Sequence, residues 1–140
     1  MSTQMDNHAL ALECIKRLDQ QGDLFELLDD DVEILYPKWG IARGKEESGR
    51  MLQDFGLYLG AMKHDYDSFN FIVQGDSVCV EGVSSGTLAN GMSWQPNGDE
   101  VGRFCTVFTM HSGKIKRMFV YLDPDYCDQT KSLYAWKESR

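Results

Sequence analysis

Residues 103–122 read "RFCTVFTMHSGKIKRMFVYL", and the fold turns on how this stretch is read. Its period is two, the mark of strands. In the first half Phe104, Thr106, Phe108 and Met110 share one face, and Cys105 and Val107 the other. "HSG" at 111–113 supplies a tight turn. In the second half Met118, Val120 and Leu122 share one face, and Ile115, Phe119 and Tyr121 the other. A half-solvated strand alternates apolar with polar side chains. These two strands do not, so both faces of their sheet are expected to be covered.

Working upstream, "DYDSFNFIVQ" (65–74) and "SVCVEGVSSGTLA" (77–89) read as two more strands, joined by a Gly75–Asp76 turn. "NGMSWQPNGDEVG" (90–102) is a loop dense in Gly, Asn and Pro, with Trp94 inside it. Three helices are expected before them. "DNHALALECIKRLDQQGD" (6–23) is capped by Asp6 or Asn7, carries Leu12, Ile15 and Leu18 at helical spacing, and ends at Gly22. "DLFELLDD" (23–30) is a second, short helix, with the acidic run "DDDVE" (29–33) as its solvated end. "GKEESGRMLQDFGLYLGAM" (44–62) is the third, with Met51, Leu52, Phe55, Tyr58 and Leu59 recurring at three and four residues. Between the second and third, "DVEILYP" (31–37) is a strand stopped by Pro37. The tail "CDQTKSLYAWKESR" (127–140) reads as helical. Helices first and an antiparallel meander after them make an α+β layout. No linker, repeat or low-complexity tract divides residues 1–140, so a single domain is expected.

The composition narrows the function classes. The 140 residues carry 22 acidic and 14 basic side chains, a formal net charge of −8. A basic patch for phosphates is missing, which argues against nucleic acid and against an anionic membrane surface. No apolar run approaches the roughly 20 residues of a membrane span, and the N-terminus lacks the pattern of a signal peptide. Cys14, Cys79, Cys105 and Cys127 form no C-x-x-C motif and read as free thiols of a reducing compartment. The expectation is a soluble cytoplasmic protein. His8, His64 and His111 lie far apart and nothing has metal-ligand spacing, so no metal or other cofactor is expected.

The candidate site follows from face parity. Val78, Val80, Phe104, Thr106, Phe108, Met118, Val120 and Leu122 make one apolar wall with a single hydroxyl. Such a wall is either packed shut or filled by an apolar ligand. "ILYPKWG" (34–40) puts Tyr36 and Trp39 on either side of a chain reversal, where large aromatics either plug a core or line the mouth of a pocket. Tyr36 offers a flat ring and a hydroxyl, a hydrogen-bond donor or acid at neutral pH. The bland alternative is an aromatic that only packs on the third helix. Ile15, Trp39, Phe55 and Tyr58 are expected to join the wall as ligand-binding residues. The Thr106 hydroxyl can orient a ligand or bond a backbone carbonyl, the commoner fate of a buried threonine.

"QQGDLFELLDDDVEILYP", "GKEE", "QGDSVCVEG" and "VFTMHSGKIKRMFVYLDP" together resemble the SnoaL-like group of the nuclear transport factor 2-like superfamily, over residues 8–126. The resemblance implies a cone: three N-terminal helices on a curled, mainly antiparallel sheet, with a deep pocket between them and a homodimer through the sheet. It also implies relatives of ketosteroid isomerase and of polyketide cyclases. Carried over by position, the isomerase's base falls on Tyr36, and its two oxyanion-hole groups on Ile15 and Thr106. The essential aspartate of limonene epoxide hydrolase falls on Val120. None of these groups is matched, so neither mechanism is expected. What remains is a small hydrophobic cyclic molecule held in an apolar cone. Tyr36 and Thr106 are the candidate catalytic groups of an isomerase, cyclase or dehydratase, and no inward carboxylate or histidine stands out as a base. The alternative class is a non-catalytic ligand-binding or structural homodimer.

Overall fold

The computed structural model describes residues 6–96, 101–134 and 136. Helix α1 (Asn7–Gln20) begins where the Asp6 carboxylate accepts the Ala9 N–H at 2.7 Å. It ends at Gln21, whose φ of 55° lets the Gly22 N–H reach the Arg17 carbonyl. Leu10, Ala11, Cys14 and Ile15 form its buried stripe. The chain then makes one 3-10 turn, Phe25–Leu27, and enters strand β1 (Leu28–Tyr36). Strand β2 (Gly40–Arg43) folds back on β1, with Tyr36 opposite Gly40. Helix α2 (Gly44–Tyr58) follows and buries Ser48 and Phe55.

The sheet is completed by β3 (Leu59–His64), β4 (Asn70–Gln74), β5 (Ser77–Leu88), β6 (Ser93–Trp94), β7 (Arg103–His111) and β8 (Lys114–Leu122). A 3-10 turn, Tyr66–Ser68, separates β3 from β4. The strand order is β2-β1-β8-β7-β5-β3, with β4 and β6 also paired to β5. All pairs are antiparallel except β1 with β8, which run parallel. The sheet is therefore mixed. One face packs under α1 and α2, and the core runs through Ile15, Val32, Ile34, Val78, Phe108 and Met118. Burying each such side chain contributes on the order of 1.5–3 kcal/mol.

Three expectations need correction. Among the described residues two α-helices cover the sheet, not three. "DLFELLDD" places Leu24, Leu27 and Leu28 at helical spacing, and all three are buried. Yet the chain needs only one 3-10 turn to bury them, and Leu28 is already extended. The acidic run at 29–33 consequently lies in β1. The third helix stops at Tyr58, and "LGAMKH" becomes β3. Gly60 lets that strand approach its neighbour, since a Cβ there would stand 3.0 Å from the Thr87 carbonyl oxygen. Ile115 does not share a face with Phe119 and Tyr121. The β7–β8 register shifts between Thr109 and Met110, so Ile115 pairs with inward-facing Met110 and is fully buried.

In the tail a 3-10 turn spans Lys131–Tyr134; residues 135 and 137–140 of the expected helix lie outside the described residues. The same holds for 97–100 of the expected loop, whose flank holds strand β6. Among the described residues no helix is long and apolar enough to cross a membrane.

Candidate functional site

Between α1 and the inner face of the sheet lies a cavity of about 30 Å³. Eight residues picked out by face parity or by position line it: Ile15, Tyr36, Phe104, Thr106, Phe108, Met118, Val120 and Leu122. Leu18, Met62 and His64 complete the wall. Val78 and Val80 are fully buried but do not reach the cavity. Phe55 packs on the Tyr36 ring at 4.2 Å and on Trp39 at 5.1 Å, behind the wall. Trp39 and Tyr58 border a separate surface hollow of about 310 Å³, with Lys38, Pro124 and Asp125. The Trp39 indole is held there because its N–H donates to Asp54 Oδ2 at 2.7 Å. Tyr36 and Trp39 thus face different spaces, although they stand on one turn.

The cavity has two polar ends. At one, strand β3 delivers His64 inward, and the end of α1 delivers Asp19. The imidazole Nδ1 lies 2.6 Å from Asp19 Oδ1. The other carboxylate oxygen accepts the His64 backbone N–H at 2.9 Å and the Tyr66 hydroxyl at 2.7 Å. The His64 and Asp19 side chains are only 9% and 6% exposed. Burial by itself would raise the Asp19 carboxyl, but the hydrogen bonds and charge of His64 and the Tyr66 hydroxyl outweigh it and hold the carboxyl below its usual range. An ionised carboxylate against Nδ1 assigns the proton to that nitrogen. Nε2 makes no hydrogen bond among the described residues. The Phe104 and His64 rings meet in a T-shaped contact with centroids 4.8 Å apart.

At the other end the Tyr36 and Tyr126 hydroxyls bond to each other. Burial raises both phenols; the Tyr126 hydroxyl adds to the effect at Tyr36, while the bond from Tyr36 offsets part of it at Tyr126. Both stay protonated at neutral pH. Tyr126 stacks on Trp94 at 4.4 Å, and the Trp94 indole N–H donates to Ser84 Oγ at 3.3 Å. Gly86, directly opposite Trp94 in the β5–β6 ladder, makes room for that indole. A Cβ at Gly86 would come within 2.3 Å of the ring. Trp94 therefore caps one end of the inner face. Thr106 faces the cavity between these ends, and its hydroxyl makes no hydrogen bond among the described residues.

His64 and Asp19 were not among the sequence candidates. Ending a helix at "LGAM" (59–62) left Lys63 and His64 without an element and hid the inward turn of His64. The signal was present: from Ala61 to Tyr66 exposed and inward-facing residues alternate with period two. Among the described residues no group of three or more His, Cys, Asp or Glu side chains could hold a metal ion.

The sheet and its two helices define the class of fold: nuclear transport factor 2-like. Solved structures with that fold superpose along most of this chain. A protein of unknown function from Burkholderia pseudomallei has 18% identity over 85% of this chain and 92% of its own, with a TM-score of 0.71. One from Anabaena variabilis has 16% identity over 90% and 97%, with a TM-score of 0.70. TerC, co-crystallised with polyporic acid, has 22% identity over 91% and 95%, with a TM-score of 0.69. Identities this low establish the fold alone. The family is set by the sequence: residues 13–118 match the SnoaL-like domain, and the chain belongs to that family. No curated protein matches the chain.

Proposed function

We propose that this chain is an acid–base enzyme that binds a small hydrophobic, cyclic, oxygen-bearing molecule in its cone and moves a proton on it. Isomerisation, cyclisation and dehydration all use that step. The observation that carries this reading is the Asp19–His64 pair, whose imidazole lies on the cavity wall. Nε2 of His64 takes or gives the proton. Asp19 holds the tautomer and stabilises the imidazolium, and Tyr66 secures Asp19. Tyr36 and Thr106 supply hydroxyls that hold the ligand's oxygen, while Phe108, Met118 and Val120 contact its ring. A cavity of about 30 Å³ holds little more than a water. Binding a ring therefore requires the Tyr126–Trp94 cap to give way.

The test is proton exchange. In heavy water, wild-type protein is expected to place deuterium at the acidic carbons of members of a panel of small cyclic ketones, with polyporic acid as an added binding probe. His64→Gln should cut the rate by about 100-fold or more, the usual contribution of a general base. Tyr36→Phe and Thr106→Val should cut it less. A wild type that binds the panel without exchange, or a His64→Gln variant of equal rate, would sink the acid–base role.

A second reading, a homodimer whose main role is assembly, is favoured by the outer face. Ile72, Cys79, Val107, Phe119, Leu35 and Ile41 form one continuous row across six strands. Ile72 is 60% exposed and Tyr121, beside the row, 49%. A second copy of the chain would cover that row with one self-complementary contact. The two roles are compatible. Phe119→Glu should convert a dimer into monomer in sedimentation at micromolar protein; a wild type that sediments as a monomer excludes the assembly.

A further inference from the structure

Cys79 and Cys105 stand side by side on the outer face of the sheet. They belong to adjacent antiparallel strands, with Cys79 opposite Val107 and Cys105 opposite Glu81. They are thus diagonal neighbours, and their Sγ atoms lie 3.3 Å apart. Diagonal positions on a flat ladder are roughly 7–8 Å apart at Cα, and a disulfide usually needs about 4.4–6.8 Å. The two side chains lean toward each other across that diagonal, so the sulfurs are already in contact. Both thiols are free and half-buried in the single chain, where peroxide can reach them; a dimer contact over the row that holds Cys79 and Val107 would shield them. The other two cysteines are placed differently. Cys14 is fully buried against Met118, and burial pushes its thiol up to about 12. Cys127 lies after β8, where its thiol donates to the Ser93 carbonyl at 3.6 Å.

We propose that Cys79 and Cys105 are a modification site, a dithiol that a peroxide oxidises reversibly to a disulfide. The thiolate of one cysteine attacks the peroxide O–O bond, becomes a sulfenic acid and releases hydroxide, which is protonated to water. The second thiolate attacks that sulfur, the S–O bond breaks, and the oxygen leaves as a second water. In total the two thiols lose two electrons and two protons, and one peroxide becomes two waters. Burial and the adjacent thiol push the Cys105 thiol up to about 11. Either sulfur can make the first attack, and the other, in contact with it, resolves the sulfenic acid.

The site lies directly behind the cavity. Phe104 and Thr106, the chain neighbours of Cys105, both line the cavity from the opposite face of β7. Closing the sulfurs to about 2.05 Å draws β5 and β7 together and displaces those two side chains.

The full chain is treated with hydrogen peroxide, unfolded, alkylated and mapped by mass spectrometry. The expected product has lost two hydrogens, carries one link between Cys79 and Cys105, and has Cys14 and Cys127 alkylated. Dithiothreitol should restore all four thiols. Cys79→Ser and Cys105→Ser should each abolish the link, and the wild-type map decides the matter even if either variant folds poorly. Four alkylable thiols after saturating peroxide would overturn the site. So would a link through Cys14 or Cys127, or links only between two chains. The Thr106 methyl resonance should move on oxidation in wild type and stay in place in Cys79→Ser. A disulfide that leaves it unmoved would overturn the coupling to the cavity.

Discussion

The two polar ends of the cavity solve the same problem in opposite ways. Asp19, His64 and Tyr66 keep a charge inside by surrounding one carboxylate with three donors. Tyr36 and Tyr126 keep no charge and share a single bond between neutral hydroxyls. A buried charge is stable only while its partners are present. A neutral pair is less costly to bury and can only donate or accept. Under the proposed function, proton transfer belongs to the first end and orientation to the second.

The largest expected effect falls on the charged end. Asp19→Ala strands the imidazole N–H, the Tyr66 hydroxyl and the His64 amide, and should lower stability by about 3 kcal/mol in urea unfolding. A loss below about 1 kcal/mol would mean that water replaces the carboxylate without cost. At the neutral end Tyr126→Phe removes one bond and leaves the Tyr36 hydroxyl alone, a loss of about 1–2 kcal/mol. The double variant Tyr36→Phe/Tyr126→Phe should cost no more than that single one, since no orphan remains. Additive losses would show that each hydroxyl has a further partner.

The smallest effect separates the ends by pH. The folded Asp19 carboxyl ionises below its unfolded value. Its contribution is full above about pH 4 and fades as pH falls through the lower folded value. The tyrosine phenols ionise later when folded than when unfolded. Their contribution is full below about pH 10 and fades as pH rises beyond it. Urea midpoints followed across pH should show an acid slope that Asp19→Asn flattens and an alkaline slope that Tyr126→Phe flattens. The reverse assignment would refute the contrast.

Much of the sheet was readable in the chain, because strand parity alone sorts Phe104, Thr106, Phe108, Met118 and Val120 onto the inner face. A single inserted residue was not: the bulge near Lys116 flips Ile115, and nothing in "KIKRM" announces it. The leucines at 24, 27 and 28 satisfy a helical period and a 3-10 turn followed by a strand equally well. In the site, Tyr36 and Thr106 were visible as polar exceptions on apolar strands. The Asp19–His64 contact joins residues 45 positions apart, and no local pattern encodes which carboxylate meets which imidazole.

The parallel pairing of β1 with β8 has a consequence for how the protein comes to exist. Among the described residues β1 is the first strand and β8 the last. During synthesis β1 waits with one edge unpaired until β2 to β7 and then β8 itself have left the ribosome. Closure then rests on a contact of high sequence separation, which slows folding and leaves an open apolar edge in the meantime. The cavity, which needs α1, β1, β3, β7 and β8 together, is among the last parts to form. Nascent chains arrested before β8 should accordingly depend on a chaperone for solubility, while the finished chain does not.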